Sequence, residues 1–267
     1  MAAEIRTSLD GGTYTITMDE PERGNPLSRE NYLTMSAALD EAESTDARCV
    51  VVEGAGDAFS TGADIESLGD DGDDAADREP TLDERVRTIQ DHEHRLVRDL
   101  ITHPLPTVAK IDGAAIGDGA CVGLACDLPL ASERARIGLS HVRFGLSMDC
   151  AASYLLPRLL GRGMAMELAL TGRIVDGERA HELGLVNHVY PDDEFEERAD
   201  ELVAELATGP PIAQRHIKRL IRRGYDRELD DVLADEAASQ VVAADTEDYA
   251  RAAEALRNGE QPEFVGR

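Results

Sequence analysis

Two glycine-punctuated segments constrain this chain more than any other feature: residues 54–64 (GAGDAFSTGAD) and 111–127 (IDGAAIGDGACVGLACD). Each follows a short apolar run, 49–53 and 107–111, that reads as a buried strand. Each ends in a bend where backbone N–H groups can be left pointing outward. Two such donors facing one another make a pocket for a developing negative oxygen. The second segment runs directly into a short apolar helix, 119–125.

The same strand–turn–helix grammar recurs along the chain. Residues 14–19 (YTITMD) alternate and are β-branched, and Ser28 caps a helix to about Glu43 with Tyr32, Met35 and Leu39 on one face. Helical periodicity resumes over 81–102. A strand near 128–131, a turn through 136–145 and a helix from about Asp149 to Leu160 follow. Such repetition predicts an α/β fold with mostly parallel pairing. Residues 70–79 (DDGDDAADRE) hold no apolar side chain larger than alanine and read as a mobile loop. From Glu194 to Asn258 the pattern is wholly helical, broken at Gly209-Pro210-Pro211 and Gly224, with Thr246 capping the last helix and Gly259 ending it. We therefore expect a core over 1–193 and a helical region over 194–267 that folds back on the core or packs against sister subunits.

Charge narrows the setting. The 267 residues carry 54 Asp and Glu against 27 Lys and Arg, a net charge of −27, and only two of the cations are lysines, Lys110 and Lys218. In multimolar salt, where the Debye length is about 3 Å or less, that repulsion is screened. The expectation is a halophilic protein; nucleic acid is a poor partner for such a surface. No window approaches the roughly 18 apolar residues of a membrane span. The opening MAAEIRTSLDGG lacks the pattern of a signal peptide, so a cytoplasmic location is expected. Cys49, Cys121, Cys126 and Cys150 form no C-x-x-C pair, and three sit in apolar or glycine-rich surroundings suited to buried thiols. His92 and His94 lie on a charged helical stretch and read as solvated; no metal site is expected.

Taken together, PERGNPLS (21–28), GDAFSTGADIESL, VAKIDGAAIGDGACVGLACD, TGRIVDGERAHELGLVNHVYP and TEDYARAAEALRNGEQPEFVGR, in that order, resemble the crotonase (enoyl-CoA hydratase/isomerase) superfamily over nearly the whole chain. The resemblance implies a spiral of repeated ββα units and a homotrimer or a hexamer built as a dimer of trimers, with the C-terminal helices at subunit contacts. It also implies an acyl-CoA substrate, with coenzyme A entering as part of the thioester and no cofactor bound permanently. By position, the thioester oxygen lies between the backbone N–H groups of Ala63 and Asp118. Arg23, Asn25, Asp64, Ile65 and Gly117 fall where relatives border coenzyme A or the oxyanion site.

Asp118 departs from the family, which usually has glycine there; the expectation is a surface-facing carboxylate turned from the thioester. Hydratases of the family position water with two glutamates, and here those positions read Cys121 and His141. His141 is a base candidate, since imidazole titrates near neutral pH, though a structural role is as plausible. Asp149 resembles the single acid of family isomerases, including the ring-1,2-epoxyphenylacetyl-CoA isomerases; its plain alternative is an N-cap. The leading expectation is an enoyl-CoA isomerase. The alternatives are an enoyl-CoA hydratase, a dehalogenase-like enzyme using the aspartate as nucleophile, and a non-catalytic CoA-binding scaffold.

Overall fold

The computed structural model describes residues 4–64 and 80–267. The expected loop at 70–79 and the Ile65 position lie outside the described residues. Among them, ten strands form two sheets. The larger contains β1 (Glu4–Asp10), β2 (Thr13–Asp19), β3 (Cys49–Gly54), β5 (Thr107–Ile111), β7 (Leu128–Ser132) and β10 (His188–Tyr190), in that spatial order. The smaller runs β4 (Ala58–Ser60), β6 (Ala114–Ile116), β8 (Arg136–Gly138), β9 (Val175–Asp176). Pairing is parallel except for the β1–β2 hairpin and the β8–β9 pair.

This arrangement is a spiral of ββα turns. β3, β5 and β7 enter the large sheet, and each is followed by a short partner, β4, β6 or β8, in the small one. Helices then return the chain: α1 (Arg29–Glu43) after the hairpin; α2 (Leu82–Asp91) and α3 (Glu93–Thr102) after β4; α4 (Asp118–Ala125) after β6; α5 (Ala152–Thr171) after β8. Beyond these lie α6 (Gly177–Leu183), α7 (Phe195–Thr208), α8 (Pro211–Gly224), α9 (Leu229–Ala244) and α10 (Glu247–Asn258).

The central strands are buried along nearly their whole length because both faces of the sheet are covered. Val50 and Val52 point into the main core with α1, α3 and α4. Cys49 and Val51 face the other way, onto Phe195, Ala199, Val203 and Ala207 of α7. Burying one such large side chain contributes roughly 1.5–3 kcal/mol.

Caps behave as expected at several ends. Ser28 and Asn31 form a reciprocal capping box at α1, and the Thr246 hydroxyl accepts from the Tyr249 N–H at α10, which Gly259 ends in the left-handed region. Three expectations need correction. The helix over 81–102 is two helices, broken at His92 (φ −114°, ψ −81°). The helix after Asp149 starts only at Ala152, and it kinks at Gly161 (φ 72°) before ending at Thr171. The turn over 136–145 contains a strand, β8, before its bend.

Candidate active site

Neighbouring turns of the spiral bring the two glycine segments together, because β4 and β6 pair in parallel and each leads straight into one of them. Gly62 has φ +93°, and a Cβ there would stand 2.5 Å from the Ile116 carbonyl oxygen and 3.3 Å from the Asp118 nitrogen. A Cβ at Gly119 would come within 2.5 Å of the Ser60 carbonyl oxygen. Only glycine permits this approach.

Both expected donors are left available. Ala63 bridges Leu27 in parallel, but the bridge uses the Leu27 N–H to the Gly62 oxygen and the Asp64 N–H to the Leu27 oxygen. The Ala63 N–H has no acceptor among the described residues. Asp118 is the first residue of α4, where helix N–H groups have no intrahelical partner. Gly117 supplies the turn, with φ 56° and ψ −122°, and is anchored by its N–H to the Gly138 oxygen at 2.8 Å. All of α4 is buried, so its N-terminal dipole acts in a poorly screened setting.

The Asp118 side chain is not on the surface. It is 8% exposed, and its carboxylate accepts from the Tyr32 hydroxyl at 2.7 Å and from His141 Nε2 at 2.9 Å. An ionised carboxylate only accepts, so Nε2 carries the hydrogen. Burial pushes this carboxyl up, but the hydrogen bonds from His141 and Tyr32 outweigh it and hold the group below its usual range. The surface reading failed because Tyr32 lies 86 residues away and was visible only as one of an apolar stripe. His141 is thereby committed to Asp118.

Asp149 does not cap a helix. Its Oδ1 accepts from the Cys150 N–H at 2.8 Å, before the helix begins, and from His94 Nε2 at 2.5 Å. His94, expected to be solvated, is thus a partner of the candidate acid. Cys150 and Ala151 both lie in the left-handed region, at φ 48° and 57°. For residues other than glycine, such geometry costs of order 1–3 kcal/mol each and persists only where surroundings enforce it. The bend aims the Asp149 carboxylate toward α3 while its carbonyl oxygen accepts a weak bond from the Cys121 thiol of α4, at 3.8 Å. Asp149 therefore sits against α4, the helix that begins with Asp118, the second expected donor.

The remaining positions are placed as follows. Cys121 is wholly buried, and burial, then Asp118, pushes its thiol well up, so it stays neutral. All four cysteines are buried and free. Arg23 Nη2 donates to Asp64 Oδ1 at 2.7 Å, and Asp64 is itself buried. Asn25 is fully buried; its amide donates to the Ala55 and Ala58 oxygens and its Oδ1 accepts from the Glu20 N–H. It staples the 20–25 loop to the turn at 55–58 that precedes Ala63, the first expected donor. The residues the sequence did not single out for this site are Tyr32, His94 and Glu93. Each reaches it from a helix of an earlier spiral turn, a juxtaposition with no local signal. Among the described residues, no group of three or more His, Cys, Asp or Glu could hold a metal ion.

The model of the enoyl-CoA hydratase/isomerase family matches residues 9–267. The 1,2-epoxyphenylacetyl-CoA isomerase of Escherichia coli (strain K12) is 32% identical over 264 residues, covering 98% of each chain. The 4-chlorobenzoyl coenzyme A dehalogenase-2 of an Arthrobacter species is 30% identical over 87% of this chain and 82% of its own. Among solved structures, an enoyl-CoA hydratase from Polaromonas sp. JS666 matches with a TM-score of 0.89 at 29% identity, covering 98% of this chain and 99% of that one.

Proposed function

Because the chain belongs to the enoyl-CoA hydratase/isomerase family, we propose that it is an acyl-CoA isomerase that moves a double bond by a 1,3-proton shift, with Asp149 as the base and then the acid. The observation that supports this reading is the Asp149 carboxylate, held against α4 through its own carbonyl and the Cys121 thiol, with neither hydratase glutamate in place.

The thioester oxygen of a 3-enoyl-CoA lies between the Ala63 and Asp118 N–H groups. Asp149 takes a proton from C2, the electron pair spreads into a dienolate, and negative charge collects on that oxygen. Preset donors favour the charged species over the neutral carbonyl. The protonated Asp149 then delivers to C4, giving the conjugated 2-enoyl product. One carboxyl and no bound water suffice. Arg23, Asp64 and Gly117 border the coenzyme A path, and coenzyme A comes and goes as part of the substrate.

The test is to supply 3-enoyl-CoA and 2-enoyl-CoA separately in high salt and follow thioester conjugation. The expected result is conjugation of the first and no hydration of the second; formation of a 3-hydroxyacyl product from the second would replace isomerase by hydratase.

A second reading has its own support. A carboxylate in contact with an imidazole also suits nucleophilic attack followed by ester hydrolysis, and the Arthrobacter relative is named a dehalogenase. Asp149 would displace chloride from an aryl carbon, and His94 would activate the water that cleaves the resulting ester. Conversion of 4-chlorobenzoyl-CoA to 4-hydroxybenzoyl-CoA would favour it.

We also propose a homotrimer or dimer of trimers, working in high salt. Apolar side chains stand open on the outer helices, among them Leu170 of α5, Val241 of α9 and Leu256 of α10, at 69%, 69% and 82% exposure. The two lysines support the halophilic reading, since both are engaged internally: Lys110 with Glu196 and Asp200, Lys218 with Asp127 and the Leu105 oxygen. Exposed cations are then left to arginine. The melting temperature is expected to rise by roughly 10 °C or more between 0.1 M and multimolar KCl, a gain of several kcal/mol for a chain of this size. A flat response in a thermal melt would remove the halophilic reading.

A further inference from the structure

The start of α1 touches the segments of both expected donors. On one side Leu27, just before the helix, bridges the segment that bears Ala63. Its N–H donates to the Gly62 oxygen at 2.8 Å, and its oxygen accepts from the Asp64 N–H at 2.9 Å. On the other side Tyr32, in the first turn and 2% exposed, sends its hydroxyl to Asp118 Oδ2 at 2.7 Å. The piece between them is held stiffly. Ser28 and Asn31 close their capping box inside the protein, and the Tyr32 N–H donates to the Ser28 oxygen at 3.2 Å.

The start of α4 has few other anchors. Gly117 gives it no side-chain cap and Gly119 has no side chain, so Asp118 supplies the grip there. Its carboxylate is clamped from two sides, by Tyr32 on Oδ2 and by His141 on Oδ1. Nδ1 of His141 is buried without a hydrogen-bond partner, so among the described residues that ring bonds to Asp118 alone. We propose that Tyr32 is a positioning residue of the oxyanion hole: with Leu27 it makes the start of α1 a gauge that sets the separation of the Ala63 and Asp118 N–H groups. Loss of its hydroxyl frees the first residue of α4 and leaves a buried carboxylate oxygen unpaired in the residue whose N–H meets the thioester oxygen.

The inference rests on the Ala63 and Asp118 donor assignment and not on which reaction follows. The test is the stretch of acetyl-CoA, isotope-labelled in its thioester carbonyl, read by infrared difference spectroscopy at saturation in high salt. Wild type is expected to lower that frequency, because two preset donors polarise the carbonyl. Tyr32→Phe keeps the ring and is expected to lose roughly half of the shift or more. In the isomerisation assay it is expected to lose roughly tenfold in kcat with KM nearly constant, short of the 10²–10³ of a donor removed outright. Asp118→Ala removes the carboxylate that Tyr32 grips, so adding Tyr32→Phe to it should cost nothing further, whereas a merely structural tyrosine costs the same in both backgrounds. His141→Leu, which removes the opposite clamp, is read in its place if Tyr32→Phe does not fold. No shift in wild type overturns the donor assignment and the gauge with it. A wild-type shift that Tyr32→Phe preserves, or equal losses in both backgrounds, overturns the gauge alone. A shift that the variant halves supports the gauge even where 3-enoyl-CoA is not isomerised, a result that removes only the isomerase reading.

Discussion

Replacing Asp149 by Asn is expected to lower turnover of 3-enoyl-CoA by about 10²–10⁴-fold, the range for removal of an acid–base group, while coenzyme A binding and assembly persist. The substitution conserves shape. The amide oxygen can still accept from the Cys150 N–H and from His94, so the left-handed pair Cys150–Ala151 keeps its anchor. What disappears is the proton acceptor. The proposed oxyanion donors, the Ala63 and Asp118 N–H groups, are backbone groups on other segments and stay in place. A loss in kcat with KM nearly constant is therefore the signature, since an interaction made only along the reaction path has been removed. An undiminished rate would exclude Asp149. The paired substitution His94→Ala divides the two readings of the site: a shuttle that uses only the carboxylate tolerates it, whereas ester hydrolysis by an imidazole-activated water does not.

Gly62→Ala is expected to cost about 10²–10³ in rate, as much as losing one oxyanion donor outright, together with a measurable fall in melting temperature. The added Cβ meets the Ile116 carbonyl oxygen at 2.5 Å, and backbone on both sides has to move apart. Those two strands of backbone carry Ala63 and Gly117-Asp118, so the wedge separates the donors themselves. The positive φ adds of order 1–3 kcal/mol of strain for a residue with a side chain. Gly11→Ala is the control, because Gly11 also has positive φ, at 54°, yet a Cβ there meets nothing within 4 Å. It should lower stability without changing kcat. Equal rates for Gly62→Ala and wild type would show that the two N–H groups do not act together.

The difference between these two residues explains what was readable from sequence. Gly62 and Gly117 are demanded by local backbone geometry, so the two glycine segments announce themselves. The same holds for Ser28, Thr246 and Gly259, whose roles at helix ends are decided within four residues. Tyr32 with Asp118 and His94 with Asp149 are contacts across 86 and 55 residues, fixed by how successive spiral turns stack. Nothing within either helix marks them. The break at His92 was hidden for a related reason: neither glycine nor proline stands there, and both flanking segments keep helical periodicity. β1 escaped notice because its residues are almost all exposed, its sequence EIRTSLD lying on the edge of the sheet.

The internal engagement of both lysines gives the molecule an unusual property toward amine chemistry. Side-chain amines are 7% and 10% exposed and each is tethered by an aspartate, so acylating reagents find no accessible ε-amine in the native fold. Lys110 is released when α7 lifts from the sheet, through Glu196 and Asp200; Lys218 is released when α8 parts from Asp127. Acylation at the two positions thus becomes a pair of separate clocks for local opening, one for each helix.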